Sequence, residues 1–334
     1  MKIAVIGAGA IGGLVAGYLK LKGNDVVLVG RPDAVKAIKA DGLRISGVRG
    51  EMDISLPVCE TLSEKVDLVI LATKTQDLES AFKANIDFIR DALVLTTQNG
   101  LQADSIVSGF IPKEKIISSI VMFGSTYLKP GEIVHNFDKS WIIGKAFGRN
   151  DDSVVKVSHI LNTIFPTIVS EDILGMKYLK VFVNSNNCIP AILGVSMQEA
   201  FSDTDICAVS VAIWKEGLSV IEKAGVSLSS LPDFPLERVT KLVALSLPEA
   251  AKIFSGIMTS LSREPVYGSI LQSIKRGKAS EIDYINGEFV ALAKKNSASA
   301  PLNEKLVEMV HQVEKAGKFF SKLELLDNTK GLLL

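Results

Sequence analysis

The stretch MKIAVIGAGAIGGLVAGYLKLKG, residues 1–23, decides the fold. A short apolar run, KIAVI, is followed at once by Gly7, Gly9 and Gly12 in GxGxxG spacing, and then by the helix-like run IGGLVAGYLKLKG. Strand, glycine turn and helix in that order open a dinucleotide-binding unit, and each glycine has its own duty. Gly7 makes the tight turn, Gly9 lets the backbone touch a pyrophosphate, and Gly12 lets helix pack on strand. Ala10 and Ile11 lie between them, at the helix N-terminus where the anion is expected. A basic start, an apolar run and small residues also fit a signal peptide, but that reading leaves the glycine spacing unexplained.

Outward from this stretch, DVVLVG, VDLVILAT, ALVLTTQ and KIISSIV are short apolar runs bounded by turn-forming or charged residues, alternating with helical stretches. That alternation predicts an α/β domain with a doubly wound, mainly parallel sheet. GEIVHNF and SWIIGKA are expected to close it as a hairpin pair. From about residue 172 the periodicity turns helical, through MKYLKVFVNSNN, DICAVSVAIWKEGLSVIEKAG, LERVTKLVALS, PEAAKIFSGIMTSL, SEIDYINGEFVALAKKN and LNEKLVEMVHQVEKAG. The expected division is residues 1–170 as the nucleotide domain and 171–334 as an all-α substrate domain.

Length agrees with two domains, since 334 residues are many for one core. Lys plus Arg and Asp plus Glu number 37 each, so the chain carries neither a nucleic-acid footprint nor a polybasic membrane patch. Beyond the N-terminal stretch, no apolar run reaches the length of a membrane span; VFVNSNNCIPAILGVSM is interrupted by Asn and Ser. Cys59, Cys188 and Cys207 form no CxxC pair, and His135, His159 and His311 lack metal-ligand spacing. A soluble protein of the reducing cytoplasm without structural metal is expected, and apolar faces such as LVALS and IFSGIM are compatible with a homodimer.

The end of the second strand selects the cofactor. An NAD enzyme usually carries an acidic residue there to hold the ribose 2′-hydroxyl; this chain has Gly30 and Arg31, with Asp33 nearby. A guanidinium pairs well with a 2′-phosphate, which favours NADPH over NADH. ILATKTQD and LTTQNG place Lys74, Gln76, Asn99 and Gly100 at two further strand ends, where ligands of such sheets bind.

In the helical half, Lys180 and Asn184 are four residues apart and share a helix face, and the Asn-rich NSNN suggests hydrogen-bonding work in a buried place. KASEIDYINGEF, residues 278–289, is read as a helix with Ile282, Ile285 and Phe289 facing the core and Gly287 permitting a close approach.

GAGAIG, Arg31, Lys74, the TQNG turn, the Lys180 and Asn184 pair, GSILQSIKRGKASEIDYING and APLNEKLVEMV together resemble the ketopantoate reductase family over nearly the whole chain. The resemblance implies an N-terminal Rossmann domain, a helical C-terminal domain of the 6-phosphogluconate dehydrogenase type and a substrate cleft between them. It implies NADPH-dependent reduction of ketopantoate to pantoate, on the route to pantothenate and coenzyme A. Lys180 and Glu281 match catalytic positions, Lys180 the catalytic lysine and Glu281 a glutamate that binds substrate and lies by the cofactor. Asn184, Ser269 and Gln198 match substrate positions, Asn99 one beside nicotinamide and substrate, and Arg31 and Lys74 cofactor positions. The chain departs from the family pattern at Cys188, where a second substrate-binding asparagine is expected, and at Asp77, where a glutamine sometimes follows the lysine turn. Two alternatives stay open: the same chemistry on another branched or bulkier 2-oxo acid, and a non-catalytic NADPH-binding sensor.

Overall fold

Alternation along KIAVI puts Ile3 and Val5 into one apolar core and Ala4 and Ile6 into a second. A strand buried on both faces is what a sheet covered by helices on both sides requires. In the computed structural model, which describes residues 1–260, 262 and 264–333, this run is β1 (Lys2–Ile6). The chain divides into two units, one formed by Met1–Gln98 and Gln102–Leu174, the other by Asn99–Leu101 and Gly175–Leu334.

The strands of the first unit after β1 are β2 (Asp25–Val29), β3 (Leu43–Gly47), β4 (Met52–Ile54), β5 (Val58–Cys59), β6 (Leu68–Leu71), β7 (Leu93–Thr96), β8 (Ile116–Val121), β9 (Gly124–Lys129), β10 (Glu132–Phe137), β11 (Trp141–Lys145) and β12 (Thr167–Val169). Its helices are α1 (Ala10–Leu21), α2 (Pro32–Asp41), α3 (Thr75–Lys83), α4 (Ile86–Ile89), α5 (Ala103–Ser108) and α6 (Asp152–Asn162). Eight strands form the main sheet in the order β12-β11-β8-β7-β6-β1-β2-β5. All its pairings are parallel except β8 with β11. The chain runs outward through β2 and β5 on one side of β1 and then returns to β6 on the other. That reversal creates the crevice at the strand carboxyl ends where ligands of such sheets bind.

GEIVHNF and SWIIGKA do not pair with each other, which corrects the expected hairpin. The first becomes β10 in a separate four-stranded sheet, β4-β3-β10-β9, and the second becomes β11, antiparallel to β8 in the main sheet. The hairpin actually present joins β9 to β10 through Pro130 and Gly131, with Gly131 at φ +80°, the glycine conformation that a proline–glycine turn uses. The small sheet lies against α1. A Cβ at Gly13 would come 2.2 Å from Ile133 Cδ1, and one at Gly17 2.5 Å from Ile45 Cδ1. Two glycines inside a helix, each costing about 1 kcal/mol relative to alanine, are thus explained by a sheet packed on the helix.

The second unit is helical among the described residues: α7 (Ile173–Asn184), α8 (Cys188–Leu193), α9 (Met197–Phe201), α10 (Thr204–Lys223), α11 (Leu236–Ala244), α12 (Leu247–Thr259), α13 (Ser269–Lys275), α14 (Asn286–Lys295), α15 (Pro301–Ala316) and α16 (Lys322–Thr329). Leu261, the last residue of the predicted PEAAKIFSGIMTSL helix, lies outside the described residues. SEIDYINGEFVALAKKN is not one helix. A 3-10 turn at Ile282–Tyr284 and an irregular Ile285 (φ −121°, ψ −84°) precede α14. Ile282, Ile285 and Phe289 are nonetheless all buried. No helix among the described residues is long and apolar enough to cross a membrane.

Candidate functional site

The glycine turn is dictated by sterics at two of its three positions. Gly7 has φ +118°, and a Cβ there would sit 2.7 Å from the backbone of Ala72 and Thr73 at the end of β6. At Gly12 a Cβ would lie 1.9 Å from Gly7 O. Gly9 differs, because a Cβ there would meet nothing within 4 Å. It faces open space while capping α1 without a side-chain oxygen, and the first turn of that helix has no acidic residue. Helix-end amides with no competing anion are a ready receptor for phosphate. Beside them, the buried Thr73 Oγ1 has no hydrogen-bond partner, an orphan that a bound polar group would satisfy. The donor set and the open space at Gly9 fit a dinucleotide pyrophosphate.

Arg31 follows β2 and is exposed, with one guanidinium nitrogen 2.9 Å from Asp77 Oδ2 in the first turn of α3. Any 2′-phosphate held by Arg31 would share it with that carboxylate. Lys74 caps the same helix from the end of β6. Gln98, in the TQNG turn, fastens the two strand ends, its Nε2 donating to Leu71 O at 3.0 Å and to Thr73 O at 2.9 Å. Thr97 Oγ1 donates to Leu71 O at 2.8 Å.

In the second unit, Lys180 and Asn184 lie on α7, both half-buried. Phe182, between them, is fully buried and stacks on Trp214 with ring centroids 5.3 Å apart. Its carbonyl accepts from Trp214 Nε1 at 3.0 Å and from Ser185 Oγ at 2.7 Å. These bonds satisfy the end of α7, and the chain tightens there into a 3-10 turn, Ser185–Asn187. Three segments meet at this turn. Asn286 Nδ2 donates to Ser185 O at 3.1 Å and to Asn303 Oδ1 at 2.9 Å, and Asn303 in turn donates to Glu216. A Cβ at Gly268 would lie 3.4 Å from Asn187, so the start of α13, carrying exposed Ser269, is seated beside it.

The change of helical pitch moves Cys188 off the Lys180 and Asn184 face. It has no accessible surface, lies 3.7 Å from Asn286 Nδ2, and burial pushes its thiol up to about 12. Cys188 is a core thiol, which corrects its expected place among substrate contacts. Gln198 is likewise engaged elsewhere. Its amide donates to Ser262 O and Glu264 O at 3.2 and 2.8 Å and accepts from Val266 N at 2.9 Å. It anchors the segment leading to Ser269 rather than presenting a free amide.

Glu281 is half-buried and caps the 3-10 turn Ile282–Tyr284. The close-approach glycine of this region is not Gly287, where a Cβ would make ordinary contacts at 3.6 Å. It is Gly100: at φ +103°, a Cβ there would be 2.6 Å from Tyr284 O. The turn bearing Asn99 is thereby laid on the turn that Glu281 begins. Sequence reading missed Thr73, Gln98 and His311; the third holds the Glu281 turn from α15. Each lies within a few residues of a motif, but only their partners, distant in sequence, reveal the role. Among the described residues no group of three His, Cys, Asp or Glu is placed to hold a metal ion.

Comparison with known proteins matches both units. The model of the family described as ketopantoate reductase PanE/ApbA covers residues 3–147, and its C-terminal model covers 172–314. The 2-dehydropantoate 2-reductase of Pyrococcus horikoshii is 32% identical over 320 residues, 95% of this chain and 99% of that enzyme. The corresponding enzyme of Archaeoglobus fulgidus is 26% identical over 94% of this chain and 98% of its own. Among solved structures, a ternary complex of D-mandelate dehydrogenase with NADH and anilino(oxo)acetate aligns with TM-score 0.82 and 27% identity, covering 95% of this chain and 99% of the other. A ketopantoate reductase from Ralstonia eutropha aligns with TM-score 0.79 and 25% identity over the same shares.

Proposed function

The chain belongs to the ketopantoate reductase family and is an oxidoreductase, and we propose that it reduces 2-dehydropantoate to pantoate with NADPH, on the route to pantothenate. The observation that carries this reading is the 32% identity to a 2-dehydropantoate 2-reductase across both units. The Gly7, Gly9 and Gly12 turn, fit for a pyrophosphate, supports it.

In this reading the pyrophosphate rests on the amides at Gly9, Ala10, Ile11 and Gly12, Arg31 holds the 2′-phosphate, and Lys74 and Asn99 complete the binding set. Bound NADPH supplies a hydride to the substrate's carbonyl carbon. Lys180 stabilises the charge gathering on the carbonyl oxygen and gives it a proton. Asn184 orients the ketone and the ammonium without adding charge. Ser269 donates to the substrate carboxylate, and Glu281 accepts from the hydroxyl that separates ketopantoate from simpler 2-oxo acids.

A second reading keeps the chemistry and changes the substrate to a bulkier 2-oxo acid. The likeness to a D-mandelate dehydrogenase complex supports it. Equilibrium titration with NADPH and NADH, followed by turnover with ketopantoate, tests the first reading. Tighter NADPH binding with ketopantoate turnover is expected; preference for NADH, or binding without turnover, would overturn it.

A further inference from the structure

Glu281 is held from outside its own segment. On its N-terminal side, the amide of Ser280 donates to Glu314 Oε1 of α15 at 2.7 Å. On its C-terminal side, Asp283 Oδ1 lies 2.9 Å from His311 Nε2, and His311 Nδ1 is 3.0 Å from Glu314 Oε2. One imidazole thus bridges the two carboxylates that bracket Glu281. A neutral imidazole has a single N–H and can donate to only one of them; the imidazolium donates to both.

We propose that His311, in its imidazolium form, is a positioning residue that clamps the Ser280–Asp283 turn to α15 and so presents Glu281 to the substrate; the proposal rests on the reading of Glu281 above. Loss of the second N–H releases one end of the clamp and leaves two carboxylates facing each other across the ring.

The charged groups acting on His311 are Asp283 from the turn and Glu314 from its own helix. Burial disfavours the cation, but the bonds to Asp283 and Glu314 outweigh it and raise the imidazole above its ordinary value. Burial pushes the Glu314 carboxyl up, but the bonds from Ser280 and the contact with His311 together outweigh it and leave the group below its ordinary value. The sign follows: with the folded value raised above the unfolded one, the clamp's contribution is complete below the unfolded pKa and is lost as pH rises through the folded one. Glu281 therefore becomes less well placed on the alkaline side. His311 is partly exposed, so the effect is modest.

The test uses the full chain with NADPH and ketopantoate across the near-neutral and alkaline range, in wild type, His311→Ala, His311→Gln and Glu281→Ala, together with hydrogen exchange of the Ser280–Tyr284 amides. Substrate KM should rise about twofold to fivefold with pH in wild type. His311→Ala and His311→Gln should show the high value at every pH, with kcat little changed and faster exchange of the turn amides. Unchanged exchange in His311→Ala would overturn the clamp. Faster exchange with unaltered KM would overturn the positioning role. No KM effect from Glu281→Ala would remove the Glu281 reading, and the proposal with it, while the exchange data would still report the clamp on its own.

Discussion

Residues assigned to the dinucleotide, Gly7, Gly9, Arg31 and Lys74, sit just past the ends of β1, β2 and β6, held by turns of a few residues on neighbouring parallel strands. Those assigned to the substrate come from α7, from the start of α13 and from the turn before α14, which converge on one 3-10 turn through Asn286, Gly268 and Asn187. In the first unit a strand end fixes a position locally, so a motif in the sequence is nearly a site. In the second, position depends on packing between segments 80 or more residues apart in sequence, such as Asn286 on Ser185, and a motif read alone gives the residue without its surroundings. The first unit should therefore tolerate loss of a contact residue with only a change in affinity, whereas small changes at the second unit's junctions should disturb both stability and turnover.

The largest effect is expected at Lys180. Lys180→Ala should lower kcat by about 10²- to 10⁴-fold, the range of a general acid, while NADPH affinity from equilibrium titration stays within about threefold. Equal losses in both would mean that the helical unit contributes binding and no chemistry. Next comes the junction at Gly100. A Cβ pressed against Tyr284 O at φ +103° should make Gly100→Ala destabilising by about 2 kcal/mol in urea unfolding, with a raised substrate KM. A neutral result would show that the turn relaxes and does not fix Asn99. Arg31→Ala should weaken NADPH by about tenfold and leave NADH nearly unchanged, an exposed contact already shared with Asp77. Equal weakening of both nucleotides would remove the 2′-phosphate from Arg31. The smallest effect is assigned to Gly287→Ala, which adds only ordinary contacts at 3.6 Å and should stabilise the protein by about 0.5 kcal/mol in thermal unfolding; a destabilisation above about 1 kcal/mol would restore the close approach read from sequence.

The same contrast governs what the sequence disclosed. GxGxxG after an apolar run disclosed the strand, the turn and the helix because its glycines recur at a fixed spacing, although only the Gly12 clash, with Gly7 O, is local and the Gly7 clash is with the end of β6. Strands β1, β2, β6, β7 and β8 were legible from their apolar runs, whereas β5 and β12, two and three residues long, were too short to leave one. The second sheet was not: its mark is a pair of glycines inside α1, Gly13 and Gly17, whose meaning appears only once Ile133 and Ile45 are seen against them. The apolar runs of β10 and β11 are close in sequence and so suggest a hairpin, whereas the turn chemistry, Pro130–Gly131, points to β9, which is the strand that pairs with β10. Cys188 stands where the family resemblance places a substrate-binding asparagine, but a tighter 3-10 turn at Ser185–Asn187 precedes it and its thiol lies in the core. Gln198 and His311 illustrate a further limit, since a polar side chain's partners, 64 and 28 residues away, are invisible to local pattern.

The most direct measurement of the central claim is the ratio of kcat/KM for ketopantoate to that for the 2-oxo acid of the same carbon skeleton lacking the hydroxyl, with NADPH as reductant, in wild type and in Glu281→Gln. A strong preference for ketopantoate that collapses in Glu281→Gln is the predicted result. Equal turnover of both substrates, or a preference unaltered by the substitution, would contradict the account and assign the chain to a different 2-oxo acid.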